Sequence, residues 1–189
     1  MQIISGKYKG KKLKRLVNDK TRPTKNRIRE SIFNIIAKQI RGANVLDPFA
    51  GTGINGAECL SRGATFVTLN DIDKMATQVC RDNMQAIDCV GQYEIFNLDY
   101  TEFLKTQGQR KFDIVFLDPP YESDFGRKAI ELLEKFDMIA PNGIIVFETD
   151  KRLDEIRVMT MPSNFEIDTR DYGRVRIYFL KALEGQGLM

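Results

Sequence analysis

Short apolar runs and stretches of helical periodicity alternate along most of this chain. The runs at about 44–47, 65–70, 93–97, 112–117, 143–148, 164–169 and 174–180 are four to seven residues long and rich in Val, Ile, Leu and Phe, which predicts strands. Residues 54–62, 74–87, 100–106 and 125–136 repeat their apolar positions every three or four residues and predict helices. Alternation of this kind implies an α/β fold. Its sheet is mostly parallel, covered on both faces, with a ligand site along the C-terminal ends of the strands. The last two runs are joined only by Arg170 to Gly173, too few residues for a helix, so they are expected to form an antiparallel hairpin at one edge. Ahead of the first strand, Ile28, Ser31, Ile32, Ile35 and Ile36 share one face of an amphipathic helix predicted from about Asn26 to Gln39. Thr24 is its expected N-cap, following the turn at Thr21-Arg22-Pro23. No repeat and no low-complexity segment interrupts the pattern.

Charge divides the chain. Residues 1–29 hold eleven Lys or Arg against one acid, Asp19, for a net +10, whereas the other 160 residues carry 18 basic and 25 acidic side chains, for a net −7. We therefore expect a basic arm and helix over residues 1–41, ahead of a larger domain over 42–189. A basic arm on an acidic body fits a polyanionic partner, because clustered lysines and arginines neutralise phosphates and release counterions. The competing reading is a solvated, disordered tail. Against it, Ile3-Ile4, Tyr8, Leu13, Leu16 and Val17, spaced among Gly6 and Gly10, predict short strands that present the basic side chains. No apolar stretch approaches the roughly 20 residues of a membrane span, and the N-terminus lacks the apolar core of a signal peptide, so a cytosolic protein is expected. Cys59, Cys80 and Cys89 lack CxxC spacing and read as small buried or half-buried side chains, with no zinc site implied. The chain has no histidine, which removes Ser-His-Asp and Cys-His catalysis and histidine-based metal sites. Carboxylates, aromatics and backbone must carry the chemistry.

Two motifs supply it. Val45-Leu46-Asp47-Pro48-Phe49-Ala50-Gly51-Thr52-Gly53 is a strand running into a glycine turn ahead of a helix, where a ligand can approach the backbone and the helix N-terminus offers unpaired N–H groups. It lacks both GxGxxG and GK[ST], so neither NAD nor ATP is favoured. Asp118-Pro119-Pro120-Tyr121 follows the run Phe112 to Leu117. By itself it is compatible with a plain strand-ending turn, but it also suits methylation of an amino group on a flat base. A carboxylate and a backbone carbonyl fixed by prolines can accept both N–H bonds of an exocyclic amine, and Tyr121 offers a face for stacking. Asp71, about 20 residues after the glycine turn, suits ribose hydroxyls, with Asp73 as cap of the next helix. Asp99, alone, reads as a helix cap. Four acids at four successive strand ends, Asp47, Asp71, Asp99 and Asp118, are nonetheless expected to form a row around one crevice.

With these residues the chain resembles the class I S-adenosylmethionine methyltransferases, and more narrowly the bacterial family that methylates N2 of a guanine in small-subunit ribosomal RNA. The likeness spans nearly the whole chain. It runs through Ile3-Ile4-Ser5-Gly6, Tyr8-Lys9-Gly10, Arg22-Pro23-Thr24, Arg27, Arg29-Glu30, Phe33-Asn34, the glycine turn, Asp118-Pro119-Pro120-Tyr121 and Tyr172-Gly173. Pro48 stands where relatives often have Cys, and Asp71 where many have Glu. The resemblance implies a Rossmann-like sheet of seven strands with the last antiparallel, and guanine 966 of 16S rRNA, in the small ribosomal subunit or its assembly intermediate, as the target. It implies S-adenosylmethionine as cofactor. Its methionine part would lie near Asp47, Phe49 and the Gly51 to Gly53 turn, its ribose on Asp71 and its adenine by Asp99 between Ile72 and Leu98. Asp118, Pro119 and Tyr121 would act on the base, and Lys9, Lys11, Lys12, Arg22 and Arg27 would face RNA. Two rival readings stand beside this one: a DNA adenine-N6 methyltransferase, which uses the same chemistry, and a non-catalytic RNA-binding assembly factor that retains the fold.

Overall fold

The computed structural model describes residues 1–16, 23–121, 123–152 and 165–183. Helices α1 (Pro23–Ile35) and α2 (Ala37–Ile40) precede β1 (Asn44–Asp47), α3 (Ile54–Ser61), β2 (Phe66–Asn70), α4 (Lys74–Ala86), β3 (Tyr93–Phe96), α5 (Tyr100–Thr106), β4 (Phe112–Leu117), α6 (Phe125–Lys135), β5 (Ile139–Thr149), β6 (Phe165–Tyr172) and β7 (Val175–Ala182). The seven strands form one sheet in the order β3-β2-β1-β4-β5-β7-β6. β1 to β5 run parallel, while β7 is antiparallel to both neighbours, β5 and β6. The expected α/β class and the hairpin are thus observed. The hairpin turn is tighter than expected: pairing continues to Tyr172 opposite Val175, leaving Gly173 and Arg174 as the turn, with Gly173 at φ +69°.

The burial of each strand follows from its place. β1, β2 and β4 are buried almost without interruption, because helices cover both faces. The edge strand β6 alternates half-buried and exposed positions. On one face Val45, Val67, Leu69, Ile114, Phe116 and Val146 pack with α1, α3 and α4. On the other, Leu46, Val115, Leu117, Ile145 and Phe147 pack with α5 and α6.

The leading helix differs from its prediction in three ways. It begins at Pro23, so Thr24 falls inside it instead of capping it; proline suits the first helical position because its missing N–H has no intrahelical partner there. It stops at Ile35, and α2 continues after a break at Ile36. Ile35, expected on the apolar face, is 37% exposed, whereas Phe33, outside that set, is fully buried against Phe116 at 5.6 Å between ring centroids.

Among the described residues the arm makes one isolated antiparallel bridge, Gln2 with Lys12, in place of the expected strands, and Val17 lies outside the described residues. What holds it is polar docking. Glu58 of α3, wholly buried, accepts the N–H groups of Ile4 (2.7 Å) and Ser5 (3.0 Å) and pairs with Arg62 (2.7 Å), so its carboxylate is satisfied despite desolvation. Ser61 donates to the Ser5 carbonyl and accepts the Tyr8 N–H, and its own carbonyl accepts from Lys7. Asn83 of α4 bonds both backbone groups of Lys14. Ile3 and Leu13 meanwhile join the core that contains Val45 and Val67.

Gly6 shows how close this contact is. A Cβ built there would lie 1.9 Å from the Ser61 carbonyl oxygen, at a backbone φ of +84°. Gly10 has a similar φ of +81° but open space around it. Gly6→Ala is therefore expected to cost well over the roughly 1–2 kcal/mol of a left-handed alanine, and Gly10→Ala only that amount. Denaturant unfolding of the two variants checks the ranking, and equal losses would contradict the docking contact.

Candidate active site

The chain leaves β1 toward β2 and β3 on one side and returns to β4 on the other, so the loops after β1 and β4 part. A cleft of about 560 Å³ opens there, lined by Pro48, Phe49, Gly51, Asn70, Asp71, Ile72, Asp99, Tyr100, Asp118, Pro119, Pro120, Tyr121 and Phe125.

Its β1 wall is shaped by the strand beside it. The Ala50 N–H bonds to the Asn70 carbonyl (2.8 Å), the Gly51 N–H to Asp71 Oδ2 (2.7 Å) and the Gly53 N–H to the Ala50 carbonyl (2.8 Å). Gly51 and Gly53 take φ values of +53° and +77°. Gly53 does not face the cleft: a Cβ there would sit 2.5 Å from Cys80 Sγ, so its task is to let the turn lie against α4. The first turn of α3 has no side-chain cap, leaving its N–H groups for an anionic partner.

Of the four strand-end acids, Asp71, Asp99 and Asp118 line the cleft. Asp47 lies beneath it, 1% exposed, accepting the Phe49 N–H at 3.2 Å. The expected row of four around the crevice is therefore three acids at the surface and one below. The reason is that β1 lies inside the sheet, between β2 and β4, and Asp47 is still its last strand residue, whereas Asp118 lies beyond the end of β4. Burial, with the nearby charges of Asp118 and Asp71, raises the Asp47 carboxyl well above its ordinary range, against the Phe49 hydrogen bond. Asp71 accepts from Gly51 through one oxygen and from the Asp73 N–H (2.9 Å) through the other. Asp73 caps α4 as expected, accepting from Met75 and Ala76. Asp99 caps α5, and the Thr101 hydroxyl leads the contacts that lower its pKa.

Ile72 is 71% exposed at the rim, while Leu98 is half-buried, packs against the core and contributes its backbone to a staple. That staple is Asn70, which sequence reasoning missed. Its amide donates to the carbonyls of Pro48 (3.1 Å) and Leu98 (3.0 Å), and its oxygen accepts the Leu98 N–H (3.0 Å). An amide at the end of the otherwise apolar run Phe66-Val67-Thr68-Leu69 was the available signal. Two aromatic rings were missed as well. Phe49, Tyr100 and Phe125 form a chain of rings with centroids 5.1 and 5.2 Å apart, the last two being the first residues of α5 and α6. Opposite them, Tyr121 is half-buried and donates its hydroxyl to Glu148 Oε1 at 2.6 Å. Burial first, then that bond, push its phenol pKa far up.

The basic residues are dispersed. α3 starts at the cleft and ends at Ser61, about 12 Å away for eight residues, toward the N-terminal ends of the strands. The arm tip docks at Ser61, so Lys9 sits toward that end, away from Asp118. The chain then climbs through Lys11 and Lys12, both exposed, to Lys14, which shares Asn83 with the Thr52 carbonyl of the glycine turn. Arg27 is exposed on α1, and Arg22 lies outside the described residues. Among the described residues no His, Cys, Asp or Glu group converges as a metal site, and no helix is long and apolar enough to cross a membrane.

This strand order, with a cleft at the β1/β4 switch point between a glycine turn and an Asp-Pro-Pro-Tyr turn, defines a Rossmann-like methyltransferase. Residues 1–181 match the model of the family described as Conserved hypothetical protein 95. Ribosomal RNA small subunit methyltransferase D of Haemophilus influenzae is 39% identical over 153 residues, covering 80% of this chain and 79% of the relative. A solved structure from Escherichia coli, yhhF, assigned as a methyltransferase, is 31% identical with a TM-score of 0.83, over 98% of this chain and 99% of that one. A more distant structure, assigned as a methyltransferase and solved with SAH, shares the fold at 15% identity and a TM-score of 0.67, over 86% of this chain and 50% of that one. The chain belongs to the family of the ribosomal RNA small subunit methyltransferases D.

The burial of Asp47 has a measurable consequence. A carboxyl whose folded pKa exceeds its unfolded value of about 3.8 binds protons more tightly in the native state, so stability falls as pH rises from 3.8 toward the folded pKa. Asp47→Asn removes that penalty. The variant is expected to be at least as stable as the wild type at pH 7, with its relative advantage vanishing near pH 4. Thermal unfolding across that range checks it, and a variant less stable at pH 7 would show that the ionised carboxylate is instead well compensated.

Proposed function

We propose that this protein transfers a methyl group from S-adenosyl-L-methionine to the exocyclic N2 of a guanine in 16S rRNA, guanine 966, in the small ribosomal subunit or its assembly intermediate in the cytoplasm. The observation that carries the proposal is the Asp118-Pro119-Pro120-Tyr121 turn, which opens onto the same cleft as Gly51, Asp71 and Asp99. The names of the relatives supply the RNA.

The residues present fit the cofactor. The uncapped α3 N-terminus and Gly51 suit the methionine end, and Asp71 keeps lone pairs for ribose hydroxyls beyond those its backbone contacts use. Asp99 and Ile72 suit the adenine edge and face, while Asp47, Gly53 and Leu98 support from behind. When bound, S-adenosylmethionine supplies an electrophilic methyl group on a sulfonium.

The protein's task is to make a poor nucleophile adequate. The lone pair of a guanine amino group is delocalised into the ring. Asp118 and the Pro119 carbonyl accept its two N–H bonds, which favours a pyramidal nitrogen, and the carboxylate stabilises the positive charge that develops there. Tyr121 stacks on a base exposed or flipped from its helix, a contact worth roughly 1–3 kcal/mol on comparable platforms. Asp118 or water takes the released proton, which agrees with a chain that lacks histidine.

Labelled methyl transfer to small subunits and naked rRNA from a strain lacking the protein, with duplex DNA alongside, tests the proposal. N2-methylguanosine is the expected product. N6-methyladenine in DNA overturns it in favour of the adenine reading, and cofactor binding without transfer favours an assembly factor. Asp118→Ala is expected to lower transfer by about 10³-fold or more with calorimetric cofactor affinity nearly unchanged; an active variant removes the assignment. Replacing Lys9, Lys11 and Lys12 by Ala is expected to reduce the salt dependence of RNA binding by about one slope unit for each phosphate no longer neutralised. An unaltered slope would place the RNA elsewhere.

A further inference from the structure

Glu148 stands at the C-terminal end of β5, one residue beyond Phe147, and Phe147 pairs with Leu117 at the end of β4. That register brings Glu148 alongside Asp118 at about the 4.8 Å spacing of neighbouring strands. Glu148 is half-buried, and its Oε1 accepts the Tyr121 hydroxyl at 2.6 Å. A ring needed only for stacking would be served by phenylalanine, so the hydroxyl and its acceptor add something that stacking does not use.

The base of this contact is stiff. Glu148 pairs with Ile177 of β7, and β7 also fastens the residues that follow: Arg176 donates to the Asp150 carbonyl (2.9 Å) and the Tyr178 hydroxyl to the Lys151 carbonyl (3.0 Å). Lys151 then reaches back to the turn after Tyr121, donating to the Ser123 carbonyl at 3.1 Å. The substrate-side loop is thereby gripped from the end of β5 at two points, Lys151 on its backbone and Glu148 on the tyrosine side chain itself.

We propose that Glu148 is a positioning residue for methyl transfer: by accepting the Tyr121 hydroxyl it fixes the plane of the ring on which the target base stacks, and hence the reach of the base's amino group to Asp118. This rests on the base lying against Tyr121, as proposed above. Loss of the anchor leaves the ring free to rotate about its side-chain torsions, so the amino group is misplaced while the cofactor side of the cleft is untouched.

The test uses Tyr121→Phe, Glu148→Ala, Glu148→Gln and the double variant Tyr121→Phe/Glu148→Ala. Each is assayed in single-turnover methyl transfer at saturating cofactor and small subunits, with rates corrected for the folded fraction. Tyr121→Phe and Glu148→Ala are each expected to slow transfer about tenfold, the size of one hydrogen bond to a charged group, with cofactor affinity unchanged. Glu148→Gln is expected to recover most of the rate, because its amide carbonyl accepts the same bond. The double variant is expected to be no slower than either single one, since the two share one interaction. A double loss equal to the product of the single losses overturns the inference, as does a Glu148→Ala enzyme with the wild-type rate, or a loss explained entirely by unfolding. A wild-type enzyme that methylates no guanine N2 overturns the substrate reading and this inference together; an active wild type with independent single losses overturns the inference alone.

Discussion

The cleft exists because the chain reverses direction at β1. β1 to β3 are laid down outward on one side and β4 begins again on the other, so two successive crossovers leave the sheet edge in opposite senses. Where they part, the turn after β1 and the turn after β4 face each other with no backbone between them. A gap of that kind is held open only if its walls are held back, and hydrogen-bonded polar side chains do this. Asn70 ties the β1 and β3 ends to β2 through three hydrogen bonds, and Asn97 adds two more to the backbone at Asp71 and Ile72. On the β4 side Glu148 and Lys151 hold the turn from β5. Asn70, which is fully buried, would cost energy if left unpaired, and this makes the wall geometry hard to relax.

The same principle attaches the basic arm. A run of lysines repels itself and gains little from the core, yet here it is joined to the sheet by Glu58, Ser61 and Asn83, whose buried polar atoms are completed by arm backbone. Asn83 also bonds the Thr52 carbonyl in the glycine turn, so a single amide links the arm to that turn. The lysines of the arm are spread along one flank, from the end of α3 at Ser61 to the glycine turn, a layout that suits an extended polyanion.

Most of the fold was legible in the chain. The limits of β1 and β4 coincide with their apolar runs, and every predicted helix of the sheet domain is present with ends shifted by a residue at most. Strong alternation and unambiguous turn residues leave little room for another assignment there. The misses lie where tertiary contact overrides local pattern. Ile35 has the right spacing for the core but is exposed, because α1 ends there and α2 begins only after the break at Ile36. The arm has strand-like alternation, but it divides its backbone hydrogen bonds between turns of its own and side chains of α3 and α4.

The sequence by itself determined the elements, their alternation, the charge division and the residue types of the Asp-Pro-Pro-Tyr turn, since all of these depend on neighbours a few positions apart. Only the tertiary structure decided which strand-end acids meet solvent and which is sealed beneath it. It also decided that Gly53 lets the turn lie against α4 while Gly51 faces the cleft, and that Tyr121 is anchored by a residue 27 positions away. Those outcomes are set by strand order and register, and two residues far apart in the chain acquire a distance only when the sheet is assembled.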